Sequence, residues 1–182
     1  MTSDPKPTVK ALVGQPNEDI ISFVGSVYYS SWIAEQLAAT DTLSTLETVS
    51  ELAFAMKLIV DSSSSREKKM ELLLAHPDLC HKVHLGGGCE LTKESQEEQA
   101  RSGLESLTKE ELESFLKLNN SYREQFGFPF ILAVRNATKY TVFAALERRV
   151  RNPPEVEFAA AIQQVHKIAW MRLLTKLDTS GC

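Results

Sequence analysis

Apolar residues recur at three- and four-residue steps along most of the chain, which is the spacing of one buried helix face. The pattern predicts helices over residues 17–37, 46–60, 65–76, 93–106, 109–126, 138–151 and 155–177. The sequence lacks the repeated short alternating runs that build a sheet. Residues 128–134 are apolar but have no partner runs, so we expect a buried extended linker there. The predicted fold is all-α, a single-domain helical bundle.

The ends of several predicted helices have local signals. Thr108 begins a capping-box pattern with Glu111, and Thr92 can cap the helix that follows it. Gly127 followed by Pro129 supplies a stop. Residues 1–16 contain prolines and no clear periodicity, so we expect an irregular segment before one domain that takes in all of residues 1–182.

The composition argues against a nucleic-acid-binding protein and against a membrane protein. The 182 residues are 43% hydrophobic and 24% charged with a net charge of -4, and the basic residues are scattered among acidic ones. Nucleic acid is therefore not expected as a partner. No apolar run is long enough for a bilayer span, so no membrane association is expected. Cys80, Cys89 and Cys182 form no disulfide framework, and we expect a cytoplasmic protein; the alternative is a peroxisomal one, although the chain has no C-terminal Ser-Lys-Leu type signal.

Arg172 interrupts the apolar face of the last predicted helix. At 100° per residue this face also carries Phe158, Ile162, Val165 and Ala169. A guanidinium keeps its proton, so burying it without an anion or several acceptors costs several kcal/mol. We expect Arg172 either to bind a ligand carboxylate, or to form a structural ion pair or extend its head to water.

Two other sets of polar residues suit chemistry. His76 stands where Pro77 must end a helix, and on an exposed turn its titration range would suit proton transfer near neutral pH. A predicted helix also presents a stripe of short polar side chains, formed by Ser95, Glu98, Gln99 and Ser102. The alternatives are an ordinary polar histidine and a solvated helix face.

A metal site is a further alternative, because four potential zinc ligands, His76, His81, His84 and Cys89, fall in a short stretch. Their spacing includes neither a Cys-x-x-Cys pair nor a His-Glu-x-x-His pattern. We therefore expect no metal.

Several segments occur in an order that is typical of one enzyme family. They are AHPDL at 75–79, LTKESQEEQA at 91–100, LNNSY at 118–122, FGFPFI at 126–131, ERR at 147–149 and IAWMRL at 168–173. Together they resemble the 2-oxo-4-hydroxy-4-carboxy-5-ureidoimidazoline (OHCU) decarboxylase family over about residues 23–174. The chain departs from the family pattern at YSSW, residues 29–32, and at Asn136, where Gly is more usual.

The resemblance implies an all-α homodimer that needs no cofactor and decarboxylates the ureidoimidazoline product of hydroxyisourate hydrolysis to (S)-allantoin, a step of urate degradation. It implies that His76, Glu98 and Arg172 are catalytic. It also implies a substrate site lined by Pro77, Ser95, Gln96, Glu97, Gln99 and the main chain of Phe130, Ile131, Leu132, Ala133 and Val134.

The chemistry suggests roles for these groups. Loss of carbon dioxide leaves negative charge in the imidazoline ring, and main-chain amides after Pro129 could stabilise it. His76 would exchange a proton, as acid at carbon or base at the hydroxyl, while Arg172 and Glu98 hold opposite ends of the substrate. The alternatives are a helical interaction module without turnover, a metal-dependent hydrolase, and the same fold acting on another ureido acid.

Overall fold

The computed structural model describes residues 5–63, 65–79, 107–135 and 137–179. All regular structure in these residues is helical, so the all-α prediction is confirmed. In chain order the elements are α1 (Val9–Val13), α2 (Asn17–Tyr28), α3 (Ser31–Ala38), the short 3₁₀ helix η1 (Leu43–Thr45), α4 (Val49–Ser62), α5 (Arg66–Leu74), α6 (Lys109–Phe126), α7 (Lys139–Arg149) and α8 (Pro154–Lys176). The helix predicted over 93–106 lies outside the described residues.

The described residues form two compact units. The first unit contains the residues up to Leu72 and those from His166 onward, and the second contains Leu73–Val165. In the first unit α2 packs on α3 and α3 packs on α4, and in the second α6 packs on α7. Helix α8 contributes residues to both units.

The first unit corrects the helix predicted over residues 17–37. The chain leaves the helix at Tyr29, which has a φ of 56°, and a second helix begins at Ser31. The Ser30 amide donates to the Gly25 carbonyl at 3.3 Å, which is the long hydrogen bond of a Schellman ending. Apolar periodicity continues through this corner, because both helices bury a face, and the pattern therefore hid the break.

Side-chain caps fix several helix starts. Thr108 and Glu111 form the predicted capping box at the start of α6, and Gly127 ends that helix with a φ of 77°. Thr48 and Glu51 form a second capping box, so α4 begins at Val49 and not at Leu46 as predicted. Thr8 caps the short helix α1, inside the segment that we expected to be irregular.

Aromatic side chains form the core of the second unit. The Tyr122 ring lies 4.7 Å from Phe126, 6.0 Å from Phe128 and 5.2 Å from Phe130, measured between ring centroids. Residues 128–134 have no helical or strand structure, and Phe128 and Phe130 are buried. The prediction of a largely buried linker without helix or strand is therefore confirmed, and the linker begins directly after the Gly127 stop.

Among the described residues, no helix combines the length and the apolar character that crossing a membrane would require.

Candidate active site

His76 lies just beyond the end of α5, in the turn that precedes Pro77. Its amide donates to the Leu73 carbonyl at 3.2 Å, and the residue is only 4% exposed. The sequence correctly places His76 at a helix end, but the expectation of an exposed turn was wrong. Leu79, three residues further along, is buried as well. His76 is therefore largely shielded from bulk water, and electrostatic interactions with it are stronger than they would be on an exposed turn.

An ion pair ties this turn to α6. The Asp78 carboxylate pairs with the guanidinium of Arg123, and the Asp78 side chain is mostly buried while the Arg123 side chain is about half exposed. Arg123 belongs to the last turn of α6, and its carbonyl accepts the Gly127 amide at 2.9 Å. The residues on either side of Pro77 are thus held by burial on one side and by a charged hydrogen bond on the other.

The predicted main-chain site, residues 130–134, is held by side chains from two helices. Arg149 of α7 donates from Nη1 to the Ile131 carbonyl at 2.7 Å. The Ala133 amide donates to Oε1 of Gln164 of α8 at 3.2 Å. One of the main-chain donors that we predicted for the substrate is therefore already in use. Phe130, Ile131 and Val134 are buried, whereas Leu132 and Ala133 are partly exposed.

A buried polar cluster adjoins this segment. Glu157 is 0% exposed and Arg149 is 5% exposed. Arg149 donates from Nε to Glu157 Oε1 at 2.9 Å, and Asn152 donates to Glu157 Oε2 at 2.7 Å. The Tyr122 hydroxyl also donates to Glu157, and the Arg149 guanidinium lies 4.7 Å from the centroid of the Phe130 ring. Burial, followed by the nearby Glu157 carboxylate, raises the pKa of Tyr122.

Sequence reasoning missed Glu157, although a signal was present. Glu157, Ala161, Val165 and Arg172 recur at steps that keep them on one side of α8, so Glu157 interrupts the apolar face as Arg172 does. Its place in the first helical turn, where carboxylates are ordinary, concealed the anomaly. Arg149 was noticed in the sequence only as part of a family motif, and no role was predicted for it.

Arg172 lies in the first unit and is 3% exposed. The guanidinium donates from Nη1 to the Val27 carbonyl at 3.1 Å and lies 4.2 Å from the centroid of the Tyr29 ring. The alternative in which its head reaches water is therefore wrong. The expectation of an acceptor partner is confirmed, because Val27 O belongs to the last turn of α2, where helix carbonyls lack intrahelical donors.

A chain of three polar side chains in the first unit was not predicted. Tyr28 Oη lies 2.8 Å from His166 Nδ1, and His166 Nε2 lies 3.0 Å from Asp61 Oδ1. Burial acts to raise the pKa of Asp61, but hydrogen bonds from Lys57 and His166 leave it below its ordinary value. Burial lowers the pKa of His166 and raises that of Tyr28.

When the imidazole is neutral, the hydrogen-bonding chemistry of the three side chains sets their proton positions. A neutral imidazole has one donor and one acceptor nitrogen, and the ionised Asp61 carboxylate only accepts. We therefore assign the His166 proton to Nε2, which donates to Asp61, while Nδ1 accepts from the Tyr28 hydroxyl. A cavity of about 270 Å³ borders Tyr28, Lys57, His166 and Trp170.

The structure describes part of the predicted site. His76, Pro77 and residues 130–134 belong to the second unit, and Arg172 belongs to the first. The predicted residues of the polar stripe, Ser95, Gln96, Glu97, Glu98, Gln99 and Ser102, lie outside the described residues.

Of the histidines and the cysteine considered as a metal site, only His76 is described. In the part of the chain that the structure describes, no three His, Cys, Asp or Glu residues come together as a candidate metal site.

Comparison with known proteins gives consistent matches. A family model described as OHCU decarboxylase matches residues 14–174. A 2-oxo-4-hydroxy-4-carboxy-5-ureidoimidazoline decarboxylase of Haloferax volcanii is 39% identical over 90% of this chain and 92% of its own length. These matches place the chain among the all-α decarboxylases. More particularly, the chain belongs to the OHCU decarboxylase family.

Two solved structures share the fold. A crystal structure of (S)-allantoin synthase matches 96% of this chain with a TM-score of 0.78 and 50% identity, and this chain spans 55% of that protein. A crystal structure of OHCU decarboxylase in the presence of (S)-allantoin matches 88% of this chain and 97% of its own, with a TM-score of 0.67 and 21% identity. The second likeness supports the fold alone.

Proposed function

We infer that the chain catalyses the decarboxylation of 2-oxo-4-hydroxy-4-carboxy-5-ureidoimidazoline to (S)-allantoin in urate degradation. The observation that carries this conclusion is family membership across residues 14–174, a range that takes in every residue we assign to the site. We propose that the reaction needs no cofactor. The carboxylate leaves as carbon dioxide, its electron pair passes into the imidazoline ring, and a proton is then taken up at a ring carbon.

We propose that His76 moves the proton of this reaction. Its burial at the end of α5 and the anchoring of the adjacent Asp78 by Arg123 both support a fixed imidazole. We assign substrate contacts to Pro77, to the main chain of residues 130–134 and to Ser95, Gln96, Glu97 and Gln99. Glu98 and Arg172 would hold opposite ends of the substrate, because one is an acceptor and the other a donor of charged hydrogen bonds.

The test follows (S)-allantoin by circular dichroism after urate has been oxidised and hydroxyisourate hydrolase has acted. The wild-type protein should accelerate the signal, and His76→Gln should lower kcat by about 100-fold or more, since general acid–base catalysis contributes on that order. His166→Gln is the matched control, because it makes the same change at another buried histidine, and it should retain turnover.

The outcomes separate the alternatives. No acceleration by the wild-type protein would leave a non-enzymatic module or a different ureido acid as the better explanation. Near-normal turnover by His76→Gln would remove His76 from the mechanism while keeping the activity. Loss of turnover on treatment with a chelator would favour the metal-dependent alternative.

We also propose a homodimer. Phe54 and Leu58 lie one turn apart on α4 and are 60% and 47% exposed, and Trp170 on α8 is 36% exposed and borders the same cavity as Phe54. Exposed apolar side chains grouped in this way are typical of interaction surfaces. Sedimentation should show a dimer for the wild type and a monomer for Phe54→Asp. A monomeric wild type would contradict the proposal.

The cytoplasm is the compartment that we propose, with the peroxisome as the alternative, and fractionation of source cells decides between them.

A further inference from the structure

Two side chains hold the main chain on either side of Leu132. Arg149 donates to the Ile131 carbonyl at 2.7 Å, and Gln164 accepts from the Ala133 amide at 3.2 Å. These contacts fix two consecutive peptide groups, the one before Leu132 and the one after it. Both holding residues lie in the same compact unit as the segment.

Together with peptide geometry, these contacts determine the directions of the N–H and the carbonyl of Leu132. In a planar trans peptide, the carbonyl and the amide hydrogen point in opposite directions. Because the Ile131 carbonyl points to Arg149, the Leu132 N–H points away from it. Because the Ala133 N–H points to Gln164, the Leu132 carbonyl points away from that side chain. Within the described residues, neither main-chain group of Leu132 has a hydrogen-bond partner.

The support that Arg149 provides is rigid. Glu157 binds the Arg149 guanidinium and is itself held by Asn152 and Tyr122. The guanidinium also lies on the face of Phe130, the neighbour of Ile131. The Ile131 carbonyl is therefore attached to a buried cluster whose members fix one another, and the chain direction at Leu132 is set by that cluster.

We propose that Arg149 and Gln164 are positioning residues, which present the N–H and C=O of Leu132 as a donor and acceptor pair to the ureido group of the substrate. A ureido group has both N–H donors and a carbonyl acceptor, so such a pair is complementary to it. This inference rests on the proposed function, because it assumes that residues 130–134 line the substrate site. Neither Arg149 nor Gln164 needs to contact the substrate itself.

Gln164 offers the cleaner test, because it is partly exposed and its replacement should leave the core intact. Gln164→Met keeps the length of the side chain and removes the acceptor, whereas Gln164→Glu keeps an acceptor oxygen. Gln163→Met is the matched control, since Gln163 is the exposed neighbour on the same helix. The readouts are kcat and KM for decarboxylation, hydrogen exchange of the Ala133 amide, and the unfolding midpoint.

Gln164→Met should accelerate exchange at Ala133 and lower kcat/KM about tenfold or more, because small displacements of positioning groups are costly. Its unfolding midpoint should fall by only roughly 2–4 °C, the shift expected for one lost hydrogen bond in a chain of this size. Gln164→Glu should stay close to the wild type in all three measurements, and Gln163→Met should match the wild type.

The proposal is overturned if Gln164→Met keeps the wild-type kcat/KM, whatever happens to Ala133 exchange. It is also overturned if Gln164→Glu loses as much activity as Gln164→Met, since the acceptor would then not be the cause. A wild-type protein without turnover is a different result, because it contradicts the proposed function before any variant is compared.

Discussion

The guanidinium of Arg172 donates a hydrogen bond from Nη1 to the main-chain carbonyl of Val27, at 3.1 Å. Val27 lies in the last turn of α2, and the next residue but one, Tyr29, adopts the left-handed conformation that usually selects glycine. The Tyr29 ring lies 4.2 Å from the same guanidinium. Arg172 therefore stabilises the end of α2 twice, by binding a terminal carbonyl and by stacking on the residue that ends the helix.

This arrangement predicts a loss of stability on removing the Arg172 guanidinium. Arg172→Met leaves the Val27 carbonyl buried without this donor and removes the contact with Tyr29. We expect the free energy of unfolding to fall by about 2–4 kcal/mol, the sum of a buried carbonyl without its donor and a lost cation–π contact. Urea unfolding measures the change. Lys167→Met, at an exposed position of the same helix, should stay near the wild type; equal values for both variants would contradict the capping role.

The buried pair of Arg149 and Glu157 predicts a large loss of stability when the charge of Glu157 is removed. Glu157→Gln removes the charge that compensates Arg149 inside the second unit, and breaking a buried pair in this way costs about 3–5 kcal/mol. Denaturant unfolding should show a correspondingly lower midpoint. Glu113→Gln on the exposed face of α6 makes the same chemical change without burial and should have little effect. A Glu157→Gln protein as stable as the wild type would show that the charge of Glu157 is not needed to compensate Arg149.

The elements that could be predicted from the sequence share one property, which is that the signal and its cause are local. Thr108 caps α6 through an amide three residues away, and Gly127 ends that helix through its own backbone freedom. The apolar face of each helix is likewise a property of that helix alone. The corner at Tyr29 could not be predicted, because a contact with Arg172, far along the chain, accompanies it.

The same distinction, between local signals and contacts with other elements, separates the site residues that the sequence predicted from those that it did not. Arg172 and His76 were found because each breaks a local pattern, one an apolar face and the other a helix end. The roles of Gln164 and Arg149 could not be predicted, since each depends on contacting a main-chain group of residues 130–134 from another element. The burial of His76 was missed for the same reason, because a sequence shows where a turn lies but not what covers it.

The Thr48 capping box predicts a measurable effect at the start of α4. Thr48 accepts from the Glu51 amide at 3.2 Å, and the Glu51 carboxylate accepts from the Thr48 amide at 2.9 Å. Thr48→Ala should lower the free energy of unfolding by about 1 kcal/mol, the usual value of a lost N-cap. Thr48→Ser keeps the hydroxyl and should restore most of the loss. If Ser and Ala destabilise the protein equally, the methyl group and not the cap is responsible.

His166 predicts how stability depends on pH. Burial lowers the pKa of His166 in the folded protein below its ordinary value of about 6.5. As the pH falls below that value, the unfolded chain takes up a proton that the folded chain resists, so this contribution to stability is complete above about 6.5 and is lost as the pH falls toward the folded pKa. The pKa of Asp61 is also lowered in the folded protein, so its contribution to stability likewise decreases as the pH falls, but only at pH values below the ordinary pKa of that carboxyl group. We expect unfolding in urea to show decreasing stability from pH 7 to pH 5 in the wild type and a flatter profile in His166→Gln. The difference between the two curves isolates this histidine from the others, and parallel curves would show that His166 titrates alike in both states.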